Sequence, residues 1–281
     1  MKTWKKIVLG VSLISLFLGG GLVAWGYSQG GLTDLQNQTK SEQDYVKKEV
    51  DDFSKIDIKS SSYNVLIKNG DVDKATLSYY QKTKNPIDTS VKDGQLTIND
   101  SNSELDSTSN KHINFFGLKD LVRLSTLNEE VRNKTIVITL PKKQTIDFLK
   151  VDLATGNLDL SNSTIKKADI NLNVGDLTFT KMIVSNLKAN LDVGSVDSNH
   201  TLFTNSDLSI AMGDYSGDNL IFNGHNKLDV TSGDIEIALK DYTLNVQADS
   251  HSGEGDITNN LKISKDNTLT ITSDLGDITV E

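Results

Sequence analysis

The stretch LDVTSGDIEI, residues 228–237, decides the fold because it is one of seven similar decapeptides between residue 151 and residue 281. Each decapeptide has one glycine in the same place: Gly156, Gly175, Gly194, Gly213, Gly233, Gly255 and Gly276. Neighbouring glycines are 19 to 22 residues apart. An apolar side chain follows two positions later in every copy: Leu158, Leu177, Val196, Tyr215, Ile235, Ile257 and Ile278. Such a period is typical of a solenoid, in which each unit buries its apolar face against its neighbours.

Within each copy the apolar residues occupy every second position, as at Val151 and Leu153, which is the period of a β-strand. The glycine separates two short strands, so we expect it at a corner with a positive φ angle. Asp, Asn or Ser follows it, and these residues favour turns. No proline occurs after Pro141, as buried strands require. The sequence therefore predicts an all-β protein, a β-solenoid with coils of roughly 19–22 residues.

A long uncharged segment stands near the start of the sequence, at residues 7–33. Its apolar part, up to Trp25, is long enough to cross about 30 Å of hydrocarbon. Three lysines precede it: Lys2, Lys5 and Lys6. The positive-inside rule then places the N-terminus in the cytoplasm and the rest of the chain outside the cell. We predict a single-pass transmembrane helix over residues 1–27 that anchors the chain in the cell membrane, with a cleaved signal peptide as the alternative.

The bounds of the other segments are set by the positions at which the repeat becomes irregular or stops. Residues 28–50 are polar and are expected to form a stalk. Residues 51–100 keep the strand pattern without the regular glycine, and they predict an irregular β region that starts or caps the solenoid. Residues 101–134 interrupt the pattern as an insert, and residues 135–281 hold the regular coils.

The insert at 101–134 contains an amphipathic pattern. Its apolar residues share one face of a helical wheel: Ile113, Phe116, Leu121, Leu124, Leu127 and Val131. One interpretation is a helix or ordered loop that packs over the side or the end of the solenoid. The alternative is an element that contacts a partner or the membrane. Its interaction candidates are then Phe115, Phe116 and Arg123, because aromatic residues and arginine are enriched in interface hot spots.

Five of the residues that follow the glycines are aspartates: Asp176, Asp214, Asp234, Asp256 and Asp277. Stacked coils place equivalent residues about 4.8 Å apart, so these carboxylates are expected to form a row. Calcium binds carboxylate oxygens, which makes the row a candidate calcium site. Turn chemistry explains the same aspartates without a metal, and the spacing is not that of a calcium-binding nonapeptide repeat. We therefore predict no bound metal and no cofactor.

Composition argues against several classes of function. The 281 residues include no cysteine, which excludes disulfides, thiol catalysis and thiolate metal sites. The net charge is −9 although the only charged residues among the first 30 are lysines. The rest of the chain is therefore acidic, and it is suited neither to binding nucleic acid nor to binding anionic lipid. The four histidines, His112, His200, His225 and His251, lack metal-ligand spacing. The sequence thus predicts no enzyme, and a polysaccharide-active enzyme is the less favoured alternative.

The last copy of the repeat ends on a complete strand, LGDITVE, at residues 275–281. A parallel strand without a neighbour presents unpaired backbone groups and an apolar edge. Either the insert at 101–134 covers this edge, or Ile278 and Val280 contact a second copy of the chain or a partner protein, which is the favoured interpretation. The partner expected for the protein as a whole is a protein or a cell-wall component.

Together these features resemble the putative adhesin family of bacterial cell-envelope proteins, which includes the LiaG-like proteins. The resemblance rests on the membrane segment, on KIDIKSSSYNVLI (55–67) and on the motifs TSGDIEI, EGDITN and LGDITVE. It implies a β-solenoid, a Gram-positive source and genes for envelope-stress signalling nearby, and it supplies no catalytic residues. We expect a membrane-anchored extracellular solenoid that binds a partner in the envelope without catalysis. The alternative is a structural surface protein that self-assembles through its C-terminal coil.

Overall fold

The computed structural model describes residues 43–82, 86–100 and 134–281. In these three stretches the chain forms β-strands joined by turns, and none of their residues is helical. The described part of the chain accordingly contains no helix that could cross a membrane. The anchor predicted over 1–27 and insert residues 101–133 lie outside the described residues, and so do the interaction candidates Phe115, Phe116 and Arg123.

Alternating apolar and polar residues give each strand a buried and an outer face. The strands before the insert are β1 (Gln43–Glu49), β2 (Lys55–Ser60), β3 (Asn64–Gly70), β4 (Thr76–Lys82), β5 (Asp88–Lys92) and β6 (Gln95–Asn99). Those after it begin with β7 (Thr135–Pro141), β8 (Thr145–Ile146), β9 (Phe148–Leu153), β10 (Leu158–Ser161), β11 (Thr164–Ile165), β12 (Ala168–Val174), β13 (Leu177–Thr180), β14 (Ile183–Ser185), β15 (Leu187–Val193) and β16 (Val196–Asn199). The last nine are β17 (Leu202–Thr204), β18 (Asp207–Met212), β19 (Tyr215–Asn223), β20 (His225–Ser232), β21 (Ile235–Leu239), β22 (Asn245–Ser250), β23 (Gly255–Ile257), β24 (Thr268–Leu275) and β25 (Ile278–Val280).

These strands form two long sheets. The ten-stranded sheet has the order β22-β24-β20-β18-β15-β12-β9-β2-β6-β5. The second sheet has 15 strands in two flanks that meet at the long strand β19. Its main flank runs β1-β4-β7-β3-β10-β13-β16-β19-β21-β25-β23, and its minor flank runs β8-β11-β14-β17-β19.

A regular coil has three sides. The chain passes through the ten-stranded sheet, turns at the glycine corner, continues in the main flank and then crosses the minor flank. Equivalent residues pair in parallel and in register, as Leu158 with Leu177 and Leu177 with Val196. The bonded residues Asn157 and Asp176 of neighbouring coils are 19 positions apart in the sequence. The predicted all-β solenoid is thus confirmed.

The other two corners of a coil mostly use residues other than glycine, with Gly224 (φ 65°) as an exception. Non-glycine residues with φ between 47° and 59° stand at these corners: Asn162, Lys181, His200, Asn219, Asn186 and Asn205. Asparagine is among the residues that adopt positive φ most readily. These two corners were not predicted, although the recurrence of asparagine was an available signal.

The core lies between the sheets and is filled by the inward side chains of each coil. Phe179 and Phe203 pack edge to face with ring centres 5.3 Å apart, and Phe203 stacks on Phe222 at 5.8 Å. Six of the apolar residues that follow the repeated glycines are buried: Leu158, Leu177, Val196, Tyr215, Ile235 and Ile278. Residues at equivalent positions of successive coils therefore stack on one another, as the repeat requires.

The coils at the N-terminal end do not follow the order of the sequence. The coil of β2 and β3 lies between the coil of β6 and β7 and the coil of β9 and β10. Beyond the coil of β6 and β7, β5 pairs antiparallel with β6, and β4 pairs antiparallel with β7. Asp93 and Gly94, both at positive φ, form the tight turn between β5 and β6. Antiparallel strands from residues 51–100 thus end the parallel stack on this side.

The C-terminal end is also out of order. Strand β25 lies between β21 and β23, and β24 lies between β20 and β22. Ile278 and Val280 are each 1% exposed, so the expected open edge at these residues is corrected by the structure. The physical reason is that the chain first reaches the outermost coil, β22–β23, and returns through residues 258–267 to fill the layer below it.

The stalk predicted over residues 28–50 lies mostly outside the described residues. Its last part forms β1, which neighbours β4 in the second sheet. The ring of Tyr45 lies 4.9 Å from that of Tyr80, and Val46 packs against the core. These residues therefore belong to the folded domain.

Candidate binding surface at the glycine corner

The glycine corner joins the ten-stranded sheet to the main flank. Six of the predicted glycines lie there with φ between 141° and 150°: Gly156, Gly175, Gly194, Gly213, Gly233 and Gly276. A Cβ atom on Gly213 would lie 2.1 Å from the carbonyl oxygen of Gly194, and one on Gly233 would lie 2.0 Å from that of Gly213. Both the backbone angle and the close approach of the next coil therefore require glycine.

Gly255 does not lie in this line. It pairs with Ile278, and a Cβ atom on it would meet no atom within 4 Å. Gly253 takes the corner position instead, since its Cβ would lie 2.1 Å from the carbonyl oxygen of Gly276. The expected corner glycine is thus corrected from Gly255 to Gly253, and the residue that follows it from Asp256 to Glu254. A shift of two keeps every side chain on its own face, so the alternating pattern could not distinguish the two alignments.

The residues that follow the corner glycines form a hydrogen-bonded row, here called the acid row. Oδ1 of Asp176 accepts the backbone N–H of Ser195 at 3.0 Å. Oδ1 of Asp214 accepts the N–H of Asp234 at 2.9 Å, and Oδ1 of Asp234 accepts that of Asp277 at 2.9 Å. Each of these side chains therefore binds the next coil, which explains the choice of short acceptor side chains at this position.

The acid row acts as a ladder between coils. One oxygen of each of its aspartates is engaged by a backbone amide, including Asp277, whose Oδ1 accepts the N–H of Glu254. Asp256 lies outside the row, paired with Thr279. Across the described stretches, no three acidic or histidine side chains converge in a geometry that could hold a metal ion. The geometry therefore supplies a structural reason for aspartate that does not involve calcium.

Asp234→Ala is expected to lower the free energy of unfolding by about 1 kcal/mol, because the N–H of Asp277 loses its acceptor. Asp234→Asn should have a much smaller effect, because the amide oxygen of asparagine accepts the same bond. Chemical denaturation of the parent and both variants, with and without calcium, measures the difference. Equal losses in both variants, or a stabilisation by calcium that Asp234→Asn removes, would show that the negative charge itself is needed.

An exposed apolar row runs beside the acid row. It consists of four residues that directly precede corner glycines, here called the apolar ridge: Val174 (48% exposed), Val193 (43%), Met212 (59%) and Leu275 (56%). Val174 pairs with Val193, and Val193 pairs with Met212. Ser232 pairs with both Met212 and Leu275, so it interrupts the ridge. The ridge was not predicted, although an apolar residue before the glycine was visible in four copies of the repeat.

The outer face of the main flank carries a further row, in which acids and hydroxyls alternate. Its order through the stack is Asp159, Thr178, Asp197, Ser216, Glu236, Thr279 and Asp256. Like charges are therefore two coils, or about 10 Å, apart. Burial raises the pKa of Asp159, the hydrogen bond from Thr178 opposes that shift, and the charge of Asp176 adds to it.

Asp159→Asn is expected to raise the thermal midpoint at pH 7, because the amide removes a half-buried charge and keeps the bond from Thr178. The raised pKa means that the folded state favours the neutral acid. Ionisation at higher pH therefore lowers stability, and this loss disappears as the pH falls below the usual carboxyl pKa. Thermal melts at pH 7 and pH 3 measure the effect, and the difference between variant and parent should shrink at pH 3. A difference that grows on acidification would contradict the sign.

Two shallow grooves open on the described surface. One, of about 170 Å³, is lined by residues at and beside the corner between the main and minor flanks, including Lys181, His200 and Ile221. The other, of about 200 Å³, is lined by residues that include Lys59 and Asp152. In the first groove Nδ1 of His200 contacts the amide oxygen of Asn199, which is not an acid that could support a catalytic histidine. Both grooves are recesses between successive coils rather than enclosed pockets.

The described chain is therefore a parallel β-solenoid whose coils are joined at one corner by a ladder of glycines and acids. A family model, Toastrack DUF4097, matches residues 53–281, and the chain belongs to that family. No curated protein matches the sequence. The match agrees with the resemblance to adhesin-like proteins, and the more specific LiaG-like assignment stays a prediction.

Several solved structures are similar over most of their length. A putative adhesin from Bacteroides fragilis is 17% identical, with 86% of this chain and 98% of that chain covered and a TM-score of 0.43. A putative cell adhesion protein from Clostridium sporogenes is 16% identical, with 85% and 99% covered and a TM-score of 0.37. A putative lipid binding protein from Parabacteroides distasonis is 12% identical, with 86% and 98% covered and a TM-score of 0.38. Membership of the family rests on the sequence match and not on these likenesses.

Proposed function

We propose that the protein is a non-catalytic binding component of the bacterial cell envelope, anchored in the membrane and exposing its solenoid outside the cell. The observation that carries the proposal is the stack of in-register coils. It repeats outward side chains about every 4.8 Å over a continuous apolar core. Such a surface offers equivalent contacts at regular intervals. It suits an extended polymer or peptide of the envelope better than a small substrate.

A non-catalytic role is supported by the chemistry of the polar rows. The carboxylates of the acid row accept backbone amides, and those of the main flank alternate with hydroxyls. Residues 135–281 contain no arginine, and the described histidines are exposed. These arrangements stabilise the stack and do not assemble a nucleophile with a base and an acid.

The membrane location is supported by the sequence alone. Lys2, Lys5 and Lys6 precede the uncharged segment 7–33, and the body that follows is acidic. An acidic body is repelled by anionic lipid headgroups, so we expect the solenoid to stand away from the membrane surface. A role in the envelope-stress response is part of the proposal and derives from the family resemblance.

Two measurements on the full-length protein test the proposal. Protease added to intact protoplasts should digest the solenoid and spare an epitope tag placed before Lys2. Full protection of the solenoid would overturn the exported topology. Detergent-solubilised protein should also sediment with isolated cell walls, without releasing reducing ends from their polysaccharide. Release of reducing ends would instead favour a polysaccharide-active enzyme.

Self-association is a second candidate function, favoured by the outermost coil, β22–β23. Among the described strands, β22 pairs only with β24, and β23 pairs only with β25. The other end of the stack finishes in antiparallel strands rather than in a parallel coil, so two copies are expected to meet at their C-terminal ends as a closed dimer. Sedimentation of the detergent-solubilised protein at rising concentration tests this, and a monomer throughout would exclude it.

A further inference from the structure

The groove at the corner between the main and minor flanks has an apolar floor. Ile183 pairs with Leu202, and Leu202 pairs with Ile221, so these three outward side chains stack in register on successive coils. Ile183 is 49% exposed, and the other two are half-buried. The floor is therefore an apolar strip of two coil spacings, about 10 Å, that is open to solvent.

The rim of the same groove is cationic. Lys181 and His200 occupy the corner in neighbouring coils, and Lys240 lies one coil beyond Ile221, where its backbone N–H bonds to the carbonyl oxygen of Leu220. None of the described residues that line the groove is acidic. Neither lysine forms an ion pair with a carboxylate in the described part of the chain. The two ammonium groups are therefore accessible to an anionic ligand.

Lysines elsewhere on the solenoid show the opposite arrangement. Along the outer face of the ten-stranded sheet, lysine and aspartate alternate through successive coils, in the order Asp57, Lys150, Asp169, Lys188, Asp207 and Lys227. Each lysine of this row has an aspartate at the equivalent position of a neighbouring coil, about 4.8 Å away, which offsets its charge. The cations of the groove are thus a local exception on an acidic chain.

Three acids adjoin the groove without lining it: Asp218, Asp241 and Glu281. The carboxylate of Asp241 accepts the N–H of Thr243 at 2.9 Å. Other main-flank acids, such as Asp197, lie three or more residues before the corner, about 10 Å away. That distance exceeds the screening length of about 8 Å at physiological ionic strength. The cations of the rim therefore decide which ligands the groove attracts.

We propose that this groove binds a linear phosphodiester polymer of the envelope, a polyol phosphate. The inference rests on the proposed function and names the class of polymer. Lys181 and Lys240 are three coil spacings apart, about 14 Å, which suits a ligand that carries anions at intervals better than a single small anion. Lysine binds phosphate as a point charge. The apolar floor contacts the carbon atoms between the phosphates.

An acidic peptide suits the groove less well. The minor-flank strands at the groove are hydrogen-bonded on both sides, β14 to β11 and β17, and β17 to β14 and β19. No backbone edge is therefore free on these two strands for a peptide to add a strand of its own. Recognition there depends on side chains, which offer charge and apolar contact.

Binding of poly(glycerol phosphate) to the detergent-solubilised full-length protein tests the inference. Lys181→Gln combined with Lys240→Gln should weaken binding by about ten-fold or more. The matched control, Lys150→Gln with Lys188→Gln, removes the same charge from the row that alternates with aspartates and should weaken binding by less than about two-fold. Equal losses in the two double variants would overturn the inference, because overall charge would then explain binding. Absence of binding by the parent protein would overturn it as well.

A second pair of variants tests the floor. Ile183→Glu places a carboxylate in the groove at an exposed position, so the fold should be kept and binding lost. Val193→Glu adds the same charge at the glycine corner, where the side chain is 43% exposed, and should change binding by less than about two-fold. Unchanged binding by Ile183→Glu would place the polymer elsewhere and contradict the inference.

Two further probes identify the class of ligand. Polyglutamate carries carboxylates in place of phosphates, and vesicles of phosphatidylglycerol present phosphates on a lipid surface. Both should bind more weakly than poly(glycerol phosphate) at equal anion concentration, and equal or tighter binding of either would overturn the assignment to a phosphodiester polymer. A parent protein that sediments with isolated cell walls but does not bind poly(glycerol phosphate) would overturn this inference alone. Failure to sediment with cell walls would count against the proposed function.

Discussion

Gly233→Ala is expected to lower the free energy of unfolding by about 3–5 kcal/mol. Its φ of 149° is strained for alanine, which costs about 1–3 kcal/mol. The new Cβ would lie 2.0 Å from the carbonyl oxygen of Gly213 and 2.9 Å from Oδ1 of Asp214, and such overpacking costs about the same again. The atom in the way is backbone of a coil that pairs in register on both sides. It cannot move without breaking the ladder.

Two other glycines separate these contributions. Gly94 has a φ of 72° but no atom within 4 Å of a built Cβ, so Gly94→Ala should show only the strain of the backbone. Gly255 has neither feature, and Gly255→Ala should be close to neutral. Denaturant unfolding of the three variants gives the comparison. Losses of equal size at Gly233 and Gly94 would show that the close approach of coils does not select glycine at the corner.

Ile278→Asn is expected to lower the free energy of unfolding by about 3–5 kcal/mol, because it places a polar amide in a site that is 1% exposed. Among the described strands, β25 is the one that joins β23 to β21. Its loss should therefore release the outermost coil while the coils between residues 158 and 213 stay folded. Hydrogen exchange measured by mass spectrometry should show fast exchange in β22 and β23 and unchanged protection in β13 and β16.

The matched control is Thr279→Asn, one residue further along the same strand. Thr279 points outward and is half-buried, so the substitution should change stability by less than about 0.5 kcal/mol. If Ile278→Asn speeds exchange in β25 but leaves β22 and β23 protected, then insertion of the last strand is not what holds the outermost coil.

The regular coils could be predicted because each one is specified by residues that are close together in the sequence. A glycine before a short acceptor side chain, with apolar residues at alternate positions, specifies the corner and both strands within ten residues. The order of coils at the ends could not be predicted in this way. Strand β24 offers the same inward apolar pattern to β20 and to β22, and no local rule selects which layer it enters. The misalignment at Gly255 has the same origin, since a shift of two residues leaves both faces intact.

The candidate surface was predicted in part. The row of aspartates follows from the repeat, but the bond from each carboxylate to the next coil depends on how far one coil is displaced from the next. The apolar ridge was hidden for a different reason. Val174 and Val193 have the strand propensity expected of core residues, and only the geometry of the corner places them outside.

The contrast between the middle and the ends of the stack has a consequence for how this protein can change in length. In the middle, neighbours in space are also neighbours in sequence, 19 residues apart at Asp176 and Ser195. Duplicating one such unit would add a layer of about 4.8 Å and preserve every contact on both sides. At the C-terminal end, bonded neighbours such as Asp234 and Asp277 are 43 residues apart, so an added unit would have to be threaded between strands. Relatives of different size are therefore expected to differ in the number of central coils, while the irregular coils at both ends are retained.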